Sequence, residues 1–192
     1  SEQINRPLDG FGYLIPAKEK RKILNSYMVL GYKTPARLHH DSYILDVISA
    51  IFSRGQSGRI VEEIRTKRGL AYEVNIHHEA AIDYGVFAVY LSTDKKNLKL
   101  AESIILNEFK KLKNITKREI DDAKGYLEGK NILDSEDTHN VADELNFWEL
   151  VKDAKMEKEY LKKINKVTKR EILRAAKKYL NNNYTLTILE QK

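Results

Sequence analysis

A chain of 192 residues with a hydrophobic fraction of 42%, spread along its length, can bury one core and lacks the long apolar run that a membrane span needs. The absence of cysteine excludes disulfides and thiolate metal sites and suits a reducing compartment, so the expected location is cytoplasmic. Lys and Arg exceed Asp and Glu by 34 to 28, but the excess is interleaved with acids over 152–163 and 166–178, which reads as solvated helix faces rather than a basic stripe for nucleic acid.

The sequence opens on Ser1 with no basic stretch leading into an apolar one, so no secretory signal is visible and a trimmed or excised fragment is expected. Residues 1–21 hold Pro7, Gly10, Gly12 and Pro16 and read as a leading segment or linker with a short strand over 12–15. One domain is expected over 22–192. Its first strand is the apolar run 25–32, closed by Thr34 and Pro35. Asp41 then precedes Tyr43, Ile44, Val47, Ile48, Ile51 and Phe52, whose three- and four-residue steps predict a core helix of about three turns.

Gly55, Ser57 and Gly58 break that pattern. A second helix is predicted from Ser57, its candidate N-cap, to Lys67, with Ile60, Val61 and Ile64 as its apolar face. From Leu70 the period becomes two: Leu70, Tyr72, Val74 and Ile76 fall on one side, Ala71, Glu73 and Asn75 on the other. The partner strand is 84–92, joined through a polar connection over 77–83 into an antiparallel hairpin.

The second half is mostly helical, marked by Leu98, Ala101, Ile105 and Leu112, then by Ile120, Ala123 and Leu127. Thr116 with Glu119 and Thr168 with Glu171 are capping boxes, which read as reuse of a good helix start rather than a true repeat. A further helix over 138–152 holds Val141, Leu145, Trp148 and Leu150, and 184–189 alternates as a last strand. The order predicts an α+β fold, an antiparallel-rich sheet with helices packed on one face.

Candidate chemistry is sparse. His39, His40, His77, His78 and His139 include no pair at helical ligand spacing, so all five read as exposed loop histidines and no metal site is expected in this chain. No nucleophile elbow is present, and the glycines between 55 and 58 read as a turn and helix cap rather than a phosphate loop. The stretch 58–72 is more specific. It sets Arg65 near a helix end, Gly69 as the left-handed terminator, and Tyr72 seven residues beyond Arg65. Helix-end physics alone reads Arg65, Lys67 and Arg68 as dipole compensation and Tyr72 as a core tyrosine.

The pattern Glu-x-Arg-x-x-x-Gly-Leu-Ala-Tyr across Glu63 to Tyr72 resembles the most recognisable motif of the C-terminal domain in the pitrilysin, insulin-degrading enzyme and mitochondrial processing peptidase family of inverted-motif zinc metallopeptidases. Further features in similar order are Gly31 with Pro35, the turn at Gly55 and Gly58, the Thr116 box followed by Lys124, and the Thr168 helix with the Tyr184 strand. The resemblance covers roughly 25–189.

The resemblance implies half of a clamshell that closes on a peptide. In active members the N-terminal half carries zinc on a His-x-x-Glu-His motif, which is missing here, so zinc is expected in a missing or partner half and not in this chain. It further implies that Arg65 holds substrate backbone carbonyls and that Tyr72 donates its hydroxyl to the oxyanion. The expected function is therefore the substrate-binding, catalysis-assisting half of a zinc metalloendopeptidase, inactive alone, with a zinc-bearing half and a peptide substrate as partners. Neither a membrane nor a specific nucleic acid is expected as a partner. Two alternatives stand: a non-catalytic structural subunit of the same fold, and a basic nucleic-acid-binding module.

Overall fold

Alternation of apolar and polar side chains builds one sheet with a buried and an open face. The computed structural model describes residues 17–192 apart from residue 56, so the strand expected over 12–15 lies outside the described residues. Five strands, β1 (Ala17–Arg21), β2 (Ser26–Thr34), β3 (Ala71–Ala80), β4 (Gly85–Thr93) and β5 (Thr185–Gln191), lie in the order β1-β5-β2-β4-β3. All neighbours are antiparallel except β1, which runs parallel to β5. Met28, Leu30 and Tyr32 of β2 and Phe87, Val89 and Leu91 of β4 point into the core. Tyr27 and Tyr90 stand on the open face.

The last five residues of the leading segment read from sequence form β1. Its Ala-Lys-Glu-Lys-Arg sequence is exposed throughout and held by the β5 ladder, with Lys18 paired to the buried Glu190.

Helices cover the other face. Helix α1 (His40–Ser53) is buried from Asp41 to Phe52, including Leu45, which lies outside the predicted stripe. It is therefore a central helix between the sheet and an outer layer made of α4 (Lys117–Asp134), α6 (Glu157–Lys166) and α7 (Lys169–Tyr179). Helices α2 (Arg59–Val61), α3 (Leu98–Lys111) and α5 (Thr138–Val151) complete the set. No helix among the described residues is long and apolar enough to cross a membrane.

Both capping boxes form, and each Glu also reaches a second helix: Glu119 accepts from Arg59 Nε at 2.6 Å, and Glu171 Oε1 lies 3.0 Å from His40 Nε2. The two boxes thus bolt the starts of α4 and α7 to the starts of α2 and α1. Lys124 donates to the carbonyls of Asn165 and Val167 at 2.8 and 2.7 Å, placing a cation at the C-terminal end of α6, where the helix dipole favours one.

Two acids buried in α1 are matched by cations. Asp41 accepts from Arg174 and from Tyr179 at 2.8 Å. Asp46 accepts from Arg37 at 2.6 Å and from the Tyr160 hydroxyl at 3.2 Å, and its Oδ1 lies 2.7 Å from His78 Nδ1.

Candidate functional site

The site grows out of the corner between α2 and β3. Ser57 does not cap the helix as predicted; its hydroxyl donates back to the Arg54 carbonyl at 3.2 Å, and Gly58 is the N-cap residue. The reason is space. A Cβ on Gly58 would lie 2.2 Å from the Phe52 carbonyl oxygen, so only glycine allows the end of α1 to pass this closely.

Ile60, Val61 and Ile64 anchor the helix in the core, but it does not stay α-helical to Lys67. Over Glu62–Thr66 it widens to a π turn, in which Lys67 N–H donates to the Glu62 carbonyl at 2.8 Å. Gly69 then takes a φ of 57°, the left-handed value that ends a helix. Its N–H reaches the Arg65 carbonyl at 3.0 Å, and Leu70 N–H reaches the Ile64 carbonyl at 2.9 Å. Both closing bonds span one residue more than in an α-helical Schellman end, which is what a π turn requires.

Arg65 sits on the exposed side of this widened turn. Lys67 and Arg68 are tied to Glu63 at 2.7 and 3.4 Å, which corrects the reading of these cations as dipole compensation alone.

Beyond Gly69 the chain is pinned by its Leu70 carbonyl, which accepts from the Thr93 hydroxyl and from Asn97 Nδ2 at 3.4 Å. The ladder then slips: Ala71 pairs with Thr93 but Glu73 with Ser92, so Tyr72 is the extra residue of a β-bulge. The slip corrects the predicted strand faces. Ala71 joins Val74 and Ile76 in the core, and Tyr72, expected beside them, is 61% exposed. Its hydroxyl donates to Asp94 Oδ1 at 3.3 Å. Next to this corner the open sheet face forms a groove of about 560 Å³, lined by Tyr27, Val29, Glu73, Asn75, His77 and Tyr90.

The sequence-predicted residues Arg65 and Tyr72 thus both end exposed, on either side of the pinned Gly69–Leu70 corner. A guanidinium and a phenol can donate hydrogen bonds to carbonyl oxygens of an extended chain.

The histidines are not all loop residues. Strands β3 and β4 run longer than predicted, so His77 and His78 lie within β3. His78 is buried, with Asp46 on one ring nitrogen and Thr34 Oγ1 at 3.2 Å from the other. His39 caps α1 by accepting from Asp41 N–H at 3.0 Å, and His40 opens that helix. Among the described residues no group of three or more His, Asp or Glu could hold a metal ion. The donors among the described residues are therefore not assembled into a zinc centre.

Sequence reasoning missed Asp94 and the Asp46 cluster. An acid at position 46, one residue before Val47 on the apolar face of a core helix, is the signal that a buried charge with partners lies there.

Sheet, helical layer and corner together define an α+β domain of the peptidase-half type, without a metal centre among its described residues. Residues 11–127 match the family described as the Peptidase M16 inactive domain, and the chain belongs to that family. An uncharacterized zinc protease of Streptomyces coelicolor is 27% identical over 172 residues, 88% of this chain and 38% of that protein. A Helicobacter pylori protease superposes with a TM-score of 0.83 at 24% identity, over 91% of this chain and 44% of that one. A Bordetella parapertussis inactive peptidase domain superposes with a TM-score of 0.78 at 18% identity, over 90% of this chain and 94% of that one. The chain thus spans less than half the length of the Streptomyces and Helicobacter proteins.

Proposed function

We propose that this domain is the substrate-holding half of a zinc metalloendopeptidase, working against a zinc-bearing half that lies outside this chain. The observation that carries the reading is the corner itself. A π turn and a β-bulge, each one inserted residue, together expose Arg65 and Tyr72 on either side of a backbone pinned at Leu70. Such π turns and bulges are frequent at functional sites.

In this reading a peptide lies extended along the open sheet face. Arg65 donates to its backbone carbonyls, and Tyr72 donates to the oxygen that gains charge as the peptide bond is attacked. Before doing so the Tyr72 hydroxyl turns away from Asp94. That bond is long and solvent-exposed, so the exchange costs at most about 1 kcal/mol.

The test combines the chain with a zinc-bearing half and follows hydrolysis of an unstructured peptide. The chain alone is expected to be inactive. The combination is expected to cleave, with Tyr72→Phe lowering kcat by about a hundredfold. Arg65→Ala should act mainly through KM, because it removes binding to ground state and transition state alike.

A structural role without catalysis is the second reading, and the engagement of Tyr72 by Asp94 favours it, since in the resting corner the phenol already donates its proton within the protein. Full activity of Tyr72→Phe in the combined enzyme, or no activity in any pairing, decides for that reading.

A further inference from the structure

We infer that Glu63 is a positioning residue for Arg65, a carboxylate latch that fixes the widened turn on which the guanidinium is carried. The inference rests on the reading of Arg65 as a donor to substrate carbonyls, and it adds a residue that acts on the peptide through the backbone of the turn.

The latch follows from the local geometry. On an α-helix the side chains that come round to face position i are those at i+3 and i+4. A π turn, whose hydrogen bonds span five residues, brings the side chain at i+5 round as well. Glu63 engages both positions. Its Oε1 accepts from Lys67 Nζ at 2.7 Å, four residues on, and its Oε2 accepts from Arg68 Nη2 at 3.4 Å, five residues on. Lys67 also pairs with Glu62 at 3.2 Å, so the start of the widened turn is tied to its end by two acids.

The backbone between them shows what the latch controls. Lys67 and Arg68 lead directly into Gly69 and Leu70, whose N–H groups close on the carbonyls of Arg65 and Ile64. Ile64 is fixed in the core, and the Leu70 carbonyl is fixed by Thr93 and Asn97. The stretch from Arg65 to Gly69 is the part of the corner that neither anchor holds, and Glu63 reaches across it from just before the first anchor. Its side chain is 17% exposed. The Lys67 hydrogen bond holds the carboxyl below its ordinary value in spite of partial burial, so the latch is closed at neutral pH.

Ion pairs this near the surface contribute little to global stability. A binding group displaced by about 1 Å, by contrast, can lose most of its effect. The latch should therefore show in substrate binding and in local opening of the turn, not in the unfolding midpoint.

The test is a double-variant cycle in the chain combined with a zinc-bearing half, read on an unstructured peptide. Glu63→Gln keeps the shape of the side chain and removes its charge. It should raise KM by about fivefold with kcat within about twofold, since Arg65 binds ground state and transition state alike. In an Arg65→Ala chain the same substitution should leave KM unchanged, whereas a merely structural role would act equally in both backgrounds. Lys67→Met breaks the latch from its other, more exposed end and should reproduce this pattern. In the chain alone, Glu63→Gln should speed amide exchange at Gly69 by about fivefold while the urea midpoint stays put. If Arg65→Ala leaves KM unchanged, the substrate-holding reading falls and this inference falls with it. If Arg65→Ala raises KM but Glu63→Gln is silent, or acts equally in both backgrounds, or leaves Gly69 exchange as it was, the reading stands and the inference alone is overturned.

Discussion

The Tyr72 hydroxyl donates to Asp94 Oδ1 across the corner between β3 and the turn that follows β4, at 3.3 Å. The bond joins the extra residue of a bulge to a side chain beyond the partner strand, so it fixes where the phenol rests without burying it. Asp94→Ala frees the phenol while removing little else. We expect this variant to unfold within about 0.5 kcal/mol of the parent, as for surface changes generally. In the combined enzyme its kcat should stay within severalfold of the parent, far above that of Tyr72→Phe. Measured kcat for both variants checks this, and equal losses would make Asp94 itself part of the chemistry.

Asp46 is the electrostatic hub of the core, holding Arg37, His78 and Tyr160 together. Burial alone would raise its carboxyl, but the His78 hydrogen bond and the Arg37 charge outweigh that and hold it below the usual range. Asp46→Ala strands a buried guanidinium, so a loss of about 3 to 5 kcal/mol is expected in urea unfolding. Restoring apolar packing with Arg37→Met in the same chain should recover part of it. A single-variant loss under about 1 kcal/mol would show that the cluster is solvated in solution.

Much of the fold was legible because its signals are repeated. Two Thr-x-x-Glu boxes, the stripe from Tyr43 to Phe52 and the alternation in β2 each rest on several residues that agree. What escaped rests on single insertions or on backbone pairing. The step Ile60, Val61, Ile64 fits an α-helix and a π turn equally well, since the widening begins only at Glu62. Alternation through Leu70, Tyr72, Val74 and Ile76 holds in the sequence, but the ladder slips at Tyr72 and reverses its face. Strand β1 has no apolar face to read, being held by backbone pairing and by the Lys18 pair to Glu190. Arg65 and Tyr72 were singled out by the family resemblance of the stretch from Glu63 to Tyr72, not by local physics, whereas Asp94 carries no local pattern at all.

Acid should loosen the helical layer. The Arg59 hydrogen bond, with help from Thr116, holds the Glu119 carboxyl at about 2, and Thr168 with His40 does the same for Glu171, against an ordinary value of 4.5. Both are depressed in the folded state, so their stabilisation is fully present above pH 4.5 and is lost as pH falls toward 2. Solvent screens both groups, so each effect is modest. The urea midpoint should be flat from neutral pH down to that window and then fall. In the Glu119→Gln, Glu171→Gln double variant it should be lower at neutral pH and fall less steeply. A parallel acid limb in the two proteins would assign acid loss to Asp41 and Asp46 instead.

Metal should be irrelevant to this chain by itself. With His78 spent on Asp46 and Thr34, and no ligand group assembled among the described residues, elemental analysis should find no stoichiometric zinc. Chelator should leave its melting temperature unchanged, because a structural metal couples directly to folding. One tightly held zinc per chain would refute both the reading of the histidines and the assignment of zinc to another half.

Two glycines at the corner should respond differently to the same substitution. At Gly58 an added Cβ would meet the Phe52 carbonyl oxygen at 2.2 Å and its carbon at 2.4 Å, and these backbone atoms cannot turn aside. Gly58→Ala must therefore push the end of α1 away from the start of α2, at an expected cost of about 3 kcal/mol or more. At Gly69 the space is open and only the φ of 57° resists, so Gly69→Ala should cost about 1 kcal/mol and Gly69→Asn less. Function should invert that order. Gly69 closes the π turn directly between Arg65 and Tyr72, so strain there moves the two donors relative to each other, whereas any Gly58→Ala chains that stay folded keep the corner. Urea unfolding of the three variants ranks the stabilities, and kcat/KM in the combined enzyme, corrected for folded fraction, ranks the function. If Gly69→Ala retains full activity, the relative placement of Arg65 and Tyr72 is not what the corner is for.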